Sequence, residues 1–151
     1  MGNKINKSQI DNASVPQFTV VTLSSAEILD LLANPKELVA APDGTQMIMP
    51  YFLAVTVHTT GATPYNVNGA LLRLLWGANA CFGGVTVPTA AFAAADDAMS
   101  PAYTAKIFDG SRTEPTANLL GAPLRLANVG TDMTLGDATA TVSIYYNIVT
   151  P

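Results

Sequence analysis

The sequence predicts an all-β fold, an antiparallel β-sandwich or jelly roll with one short helix and an extended N-terminal arm. Three observations support this prediction. Runs rich in β-branched and aromatic residues recur along the chain, and together they suggest roughly seven to nine strands. Gly, Pro and Asn residues typical of turns separate these runs. The chain shows neither an alternation of strands and helices nor an internal repeat, so we expect sheets packed face to face.

The polar segment 1–17 is predicted to be an extended arm, and 18–151 a single β-sandwich domain. The arm either orders against a neighbouring subunit or is a disordered tail. We expect strands at 18–23, 37–40, 46–59, 70–76, around 85–87, 102–108, 124–126 as an edge strand, 132–135 and 139–149, with a helical turn or long loop at 89–99.

The first strand run is followed by a helix signal. Ser24 and Glu27 have the spacing of a capping box, in which the hydroxyl and the carboxylate each bond a free backbone amide. Apolar residues follow at helical spacing until Asn34, and the residue before a proline avoids the helical region. A short helix is therefore expected over 25–33. Beyond it, the segment 41–44 (APDG) predicts a tight turn.

Two longer runs predict how the sheets are covered. In 46–59, Met47, Met49, Tyr51, Leu53, Val55, Val57 and Thr59 are expected to share one face. Both faces are apolar at the start of this run, which indicates cover on both sides. Pro50 has no amide donor, so it implies an edge, a bulge or a break. In 139–149, the alternation places Ala140, Val142, Ile144, Tyr146 and Ile148 in the core.

Composition excludes several classes of function. The chain has 151 residues, of which 49% are hydrophobic and only 12% charged, with a net charge of -4. So little charge predicts that part of the apolar surface is buried against another protein. The seven basic residues are scattered, which argues against nucleic acid. No apolar run is long enough to span a membrane, and the first residues lack the apolar core of a secretory signal.

The sequence offers little catalytic chemistry, so we expect no enzyme, no metal and no cofactor. His58 is the only histidine and ends a predicted strand, whereas a zinc site needs several ligands. Cys81 is the only cysteine and is interpreted as a small buried residue. Asp96 and Asp97 are predicted to be solvated turn residues. The aromatic residues Trp76, Tyr51, Tyr65, Tyr103, Tyr145 and Tyr146 could stack on sugars, but packing is the stronger interpretation.

Two stretches carry a resemblance to a known group. The first runs from Phe18 to His58 and includes LSSAEIL, PKELVAAP, a glycine turn and a long apolar strand; the second is the closing run VSIYYNIV. Together they resemble small virion proteins of tailed bacteriophages, and in size and style the chain is most similar to the capsid decoration, or cement, proteins. The resemblance covers about a third of the chain, in β-strand and turn motifs.

The resemblance implies a jelly roll, commonly a homotrimer, that binds the major capsid protein on the outside of a virion and stabilises the shell. It implies assembly in the cytoplasm of a host bacterium, and it transfers no catalytic, cofactor-binding or metal-binding residue. Two alternatives stay open. The chain could be a phage tail, fibre or adaptor component, or a carbohydrate-binding β-sandwich with Trp76 and Tyr65 as exposed sugar platforms.

Overall fold

A computed structural model describes residues 15–59, 61–78, 86–103 and 118–151, which form two four-stranded sheets. The strands are β1 Gln17–Leu23, β2 Lys36–Val39, β3 Met47–His58, β4 Leu72–Trp76, β5 Thr86–Val87, β6 Ala98–Tyr103, β7 Leu124–Asn128 and β8 Thr139–Val149. Sheet A has the order β1-β8-β3-β6, and sheet B has the order β2-β7-β4-β5. All pairings are antiparallel, so the all-β prediction is confirmed.

The strand pairing is nested. β1 pairs with β8, β2 with β7, β3 with β6, and β4 with β5. In addition, β8 pairs with β3, and β7 pairs with β4. Apart from the connection between β4 and β5, which both lie in sheet B, every connection between these consecutive strands crosses from one sheet to the other. This order is the one that results when a long antiparallel hairpin is folded over into two sheets.

A single core lies between the sheets. Alternate residues of each strand point into it, such as Val142 and Ile144 of β8 and Leu72 and Leu74 of β4, all with no exposed surface. Trp76 crosses the gap, because its indole Nε1 donates to the backbone oxygen of Ile48 at 2.9 Å. A buried indole N–H needs such an acceptor, so this bond fixes the position of sheet B over sheet A.

The helix between β1 and β2, α1, spans Ser25–Leu29 and is shorter than predicted. Its capping box is formed as expected between Ser24 and Glu27. The helix ends because the amide of Asp30 bonds the carbonyls of both Ala26 and Glu27, and the Asn34 side chain then bonds the Asp30 carboxylate at 2.7 Å. Such local side-chain bonds compete with helix propagation, so only turns follow up to residue 33.

A bulge in β3 corrects the predicted faces of that strand. The register with β8 shifts between Pro50 and Phe52, as the missing amide of proline led us to expect. The extra residue reverses the side-chain alternation, because each later residue moves to the opposite face. Ile48 therefore shares the core face with Leu53, Val55 and Val57, and the prediction that Met47, Met49 and Tyr51 share it was wrong.

Three other strand predictions also need correction. The run 124–126 is not an edge strand, because β7 pairs with both β2 and β4. The run 132–135 forms only one bridge, between Thr134 and Asn66, since Leu135 has a φ of 57° that ends an extended run. The strand expected at 102–108 begins earlier, at Ala98, and 104–108 lie outside the described residues. The predicted arm lies outside them up to residue 14, and Gln17 already belongs to β1.

The connections gather at the two ends of the sandwich. At one end, the loops that precede β2, β4, β6 and β8 are tied together by backbone hydrogen bonds. For example, the amide of Tyr65 donates to the carbonyl of Phe92 at 2.9 Å, and the amide of Thr131 donates to the carbonyl of Gly69 at 2.9 Å. The β2–β3 turn belongs to the other end, where the amide of Gly121 bonds the carbonyl of Gln46 at 2.8 Å.

Candidate interaction surface

The outer face of sheet A is the main exposed apolar surface of the described residues. Its side chains come from the strand positions that alternate with the core residues, and paired residues of neighbouring strands point to the same side. We define this face by Phe18, Val20 and Thr22 of β1, Thr141, Ser143 and Tyr145 of β8, Tyr51, Phe52, Ala54, Thr56 and His58 of β3, and Met99 of β6.

A cluster of four aromatic rings occupies one half of the face. Tyr145 lies in the centre, with its ring centroid 4.5 Å from that of Phe18, 5.9 Å from that of Phe52 and 6.2 Å from that of Tyr51. These tilted and edge-on distances are favourable for ring pairs. The bulge at Pro50 creates the cluster, because it brings both Tyr51 and Phe52 close to Tyr145.

These apolar side chains remain open to solvent. Phe18 is 52% exposed, Val20 50% and Met99 65%, and the tyrosines at 51 and 145 are also exposed. Single exposed apolar residues are ordinary on protein surfaces, whereas a contiguous patch of several marks a site of interaction. Five of the nine large hydrophobic residues that are exposed in the described chain lie on this one face.

The strands of sheet A, as far as the structure describes them, contain no Lys, Arg, Asp or Glu. All seven Lys and Arg residues and all eleven Asp and Glu residues of the sequence lie outside β1, β3, β6 and β8. Sheet B differs, because Glu37, Arg73 and Arg125 occupy strand positions between its core residues. A solvent-exposed sheet face usually carries charges, and edge strands in particular use them to prevent unwanted pairing. The described strands of sheet A thus differ from sheet B in charge as well as in exposed apolar area.

His58 lies at one end of this face and has two polar neighbours. Its Nε2 is 3.1 Å from the hydroxyl of Thr141, and its Nδ1 is 3.6 Å from a carboxylate oxygen of Asp97. All three groups are accessible to solvent. The structure thus brings together two residues that the sequence analysis treated separately, the strand-end histidine and one of the two adjacent aspartates.

This carboxylate, imidazole and hydroxyl follow one another in the order of a hydrolytic triad. Thr141 lies inside β8, which pairs with β1 on one side and with β3 on the other. The contacts of His58 with Thr141 and Asp97 fix the orientation of the imidazole at the end of the sheet.

The aromatic residues considered for sugar binding divide into two groups. Trp76, Tyr65 and Tyr146 are buried, at 2%, 3% and 7% exposure, so the proposal of Trp76 and Tyr65 as exposed platforms was wrong. Tyr51 and Tyr145 are exposed on the outer face of sheet A. The side chain of Tyr103 and the whole of Cys81 lie outside the part of the chain that the structure describes.

Sequence reasoning missed part of the face for identifiable reasons. Met99 precedes Ser100 and Pro101 in an alanine-rich region, so no β pattern indicated it. The bulge hid the shared position of Phe52 and Tyr145, because it changes which residues of β3 point outward. The distribution of charge was the available signal, since the closing strand and the long strand 46–59 both lack Asp, Glu, Lys and Arg.

Glu27 and Tyr65, two of the residues whose pKa is shifted, lie away from this face. Hydrogen bonds from Lys36 and then from Ser24 lower the pKa of Glu27 from 4.5 to about 2. Burial, with a smaller effect of the Asp137 charge, raises the pKa of Tyr65 to about 12. The Tyr65 hydroxyl donates to the carbonyl of Ala138 at 2.6 Å. Both groups stabilise loops at the end of the sandwich that precedes β2 and β8.

Comparisons with known proteins add no assignment. No protein-family model matches the chain, and a search of curated proteins found no significant match. Within the described ranges, no three His, Cys, Asp or Glu side chains are grouped so that they could hold a metal ion. No helix in this part of the chain is long and apolar enough to cross a membrane.

Proposed function

We propose that this protein is a structural virion protein that binds the outside of a phage capsid as an oligomer and stabilises the shell. The observation that carries the assembly into an oligomer is the outer face of sheet A, which is partly aromatic and whose described strands contain no Lys, Arg, Asp or Glu, as suits a permanent protein contact. The sequence resemblance to capsid decoration proteins supplies the capsid as the setting, and the major capsid protein as the partner.

The strand order supports the same proposal. The nested pairs β1–β8, β2–β7, β3–β6 and β4–β5 are those of an eight-stranded jelly roll, which we propose as the finer description of the fold. Because jelly rolls have many different functions, the strand order supports the proposed function less strongly than the exposed face does. The trimeric state and the position on the virion surface are parts of the proposal that come from the resemblance.

Binding to preassembled shells tests the function directly. Shells built from the major capsid protein of the phage that encodes this chain are mixed with the purified protein and sedimented. We expect the protein to sediment with intact shells and the loaded shells to withstand a higher temperature before they break. Protein that stays in the supernatant at every ratio would refute the decoration role. Labelling of whole virions with an antibody separates this role from a tail, fibre or adaptor role.

A carbohydrate-binding role is the second candidate, and the exposed rings of Phe18, Tyr51 and Tyr145 favour it. Aromatic faces can stack on the apolar side of a sugar ring. Screening against a glycan array tests this role. Binding to a glycan that is lost in Tyr145→Ala would support it, and an array without hits would dismiss it.

A further inference from the structure

We infer that the outer face of sheet A is the surface through which copies of this chain contact each other. The inference deepens the oligomeric state in the proposed function and rests on that proposal. It names the second copy as the occupant of the face, and it leaves the contact with the shell to other surfaces of the molecule.

The charge distribution favours a second copy as the occupant. The chain has a net charge of -4, so two identical molecules repel each other when their charged surfaces approach. The described strands of sheet A carry no Lys, Arg, Asp or Glu, and Asp97 lies beside His58 at one end of the face. A neighbouring copy can therefore contact this face without placing its own charges beside charged side chains of these strands, and no complementary pattern of charges is required.

The size of the face fits a stable contact. β3 and β8 have 12 and 11 residues. The outer strands β1 and β6 are shorter, with 7 and 6 residues. At ~3.4 Å per residue and ~4.8 Å between strands, the four strands together cover roughly 600 Å², which approaches the ~800 Å² that each partner buries in a standard interface.

The composition of the face also fits a lasting interface. Aromatic residues and methionine are enriched in interface cores, while Lys, Glu and Asp are depleted there. Tyr145 and its three ring neighbours supply such a core, and Val20 extends the apolar surface along β1. The row of Thr22, Thr141 and Thr56 contributes small polar groups at the side of this core, and the exposed Met99 of β6 lies at the end of this row.

A pair of matched valine substitutions tests the inference. Val20→Glu places a carboxylate on the face at a position that is 50% exposed, whereas Val129→Glu makes the same change at a 38% exposed position after β7, outside the face. Molar mass is measured by light scattering after size exclusion, over a range of protein concentrations. Met99→Glu, at 65% exposure on β6, provides a second variant in case the first does not fold.

We expect the wild type and Val129→Glu to be oligomers of equal mass, and both Val20→Glu and Met99→Glu to be folded monomers at the same concentration. Burying an unpaired carboxylate in the contact should raise the dissociation constant at least about 30-fold. A monomeric wild type, or face variants that keep the wild-type mass, would overturn the inference. A monomer whose Val20→Glu variant no longer sediments with shells would instead assign the face to the shell protein. An oligomer that never binds shells would refute the proposed function alone.

Discussion

The side chain of Asn128 joins two loops at one end of the sandwich, and its replacement has a predictable effect on stability. The residue ends β7 and is 3% exposed. Its Oδ1 accepts from the backbone amides of Leu71 at 3.0 Å and Gly130 at 3.1 Å, and its Nδ2 donates to the carbonyl of Thr131 at 2.6 Å. One amide group thus satisfies three backbone groups from the loops before β4 and β8.

We predict that Asn128→Ala lowers the free energy of unfolding by about 3 kcal/mol, at about 1 kcal/mol for each lost bond. This is a large part of the 5–15 kcal/mol that is typical of a domain. Asn128→Asp has nearly the same shape and keeps the two accepted bonds, but at neutral pH its second oxygen faces the carbonyl of Thr131. Protonation of that oxygen restores a donor. The loss in Asn128→Asp should therefore be smaller at about pH 4 than at pH 7.

Denaturation in urea measures both effects, from the transition midpoint at an unchanged m-value. Asn34→Ala is the control, because its side chain bonds Asp30 at an exposed site and its loss should cost less than about 0.5 kcal/mol. If Asn128→Ala were as stable as this control, the three bonds would contribute nothing net. If the loss in Asn128→Asp did not change with pH, the argument from the missing donor would be wrong.

Three further predictions concern other positions. Gly130→Ala should lower the free energy of unfolding by about 3 kcal/mol or more, because the new Cβ would lie 2.0 Å from a backbone oxygen. Gly44→Ala is the control, since its new Cβ meets no atom within 4 Å and should leave stability unchanged. Thermal melts of both variants measure the difference. Glu27 has a lowered pKa, so its ion pair with Lys36 stabilises the fold above pH 4.5 and is lost as the pH falls toward 2. When stability is followed by acid titration, the free energies of unfolding of wild type and Glu27→Gln should differ above pH 4.5 by less than about 1 kcal/mol, since both charged groups are partly exposed. Equal stability curves for the two proteins would contradict a stabilising ion pair. Tyr65 has a raised pKa, so its neutral hydroxyl stabilises the fold below pH 10 and this contribution is lost toward pH 12. Tyr65→Phe should lower the free energy of unfolding by about 1 kcal/mol at neutral pH, and this variant should not show the loss of stability between pH 10 and 12. A variant as stable as wild type would refute the role of the hydroxyl.

The alternation of apolar residues was enough to predict the strands that are half buried. In β8, the core positions Ala140, Val142, Ile144 and Tyr146 all follow the predicted pattern. A continuous apolar run was harder, because both phases of β3 look acceptable until Pro50 shifts the register. The sequence indicates a disturbance at the proline, but the direction in which later side chains point depends on the pairing with β8.

Strand order could not be predicted, because pairing joins residues that are distant in the chain. The proline before Leu124 suggested an edge strand, yet β7 lies between β2 and β4. Conversely, β6 contains Pro101 and lies at the edge of sheet A, where a missing amide is tolerated. The candidate surface depends on this order, because Phe18, Tyr145 and Phe52 become neighbours only when β8 lies between β1 and β3.

The nested pairing has a consequence for how the protein is made. Gln17 pairs with Tyr146, and the Thr19 and Tyr146 hydroxyls, 127 positions apart, lie 3.4 Å from each other. During synthesis β1 leaves the ribosome long before its partner β8 is translated. The uncharged segment of β1 therefore stays unpaired with β8 until that last strand has been made. Long-range pairing of this kind folds slowly and exposes strands to aggregation. The same absence of charge that suits sheet A to assembly therefore makes the nascent chain dependent on the rapid arrival of its last strand.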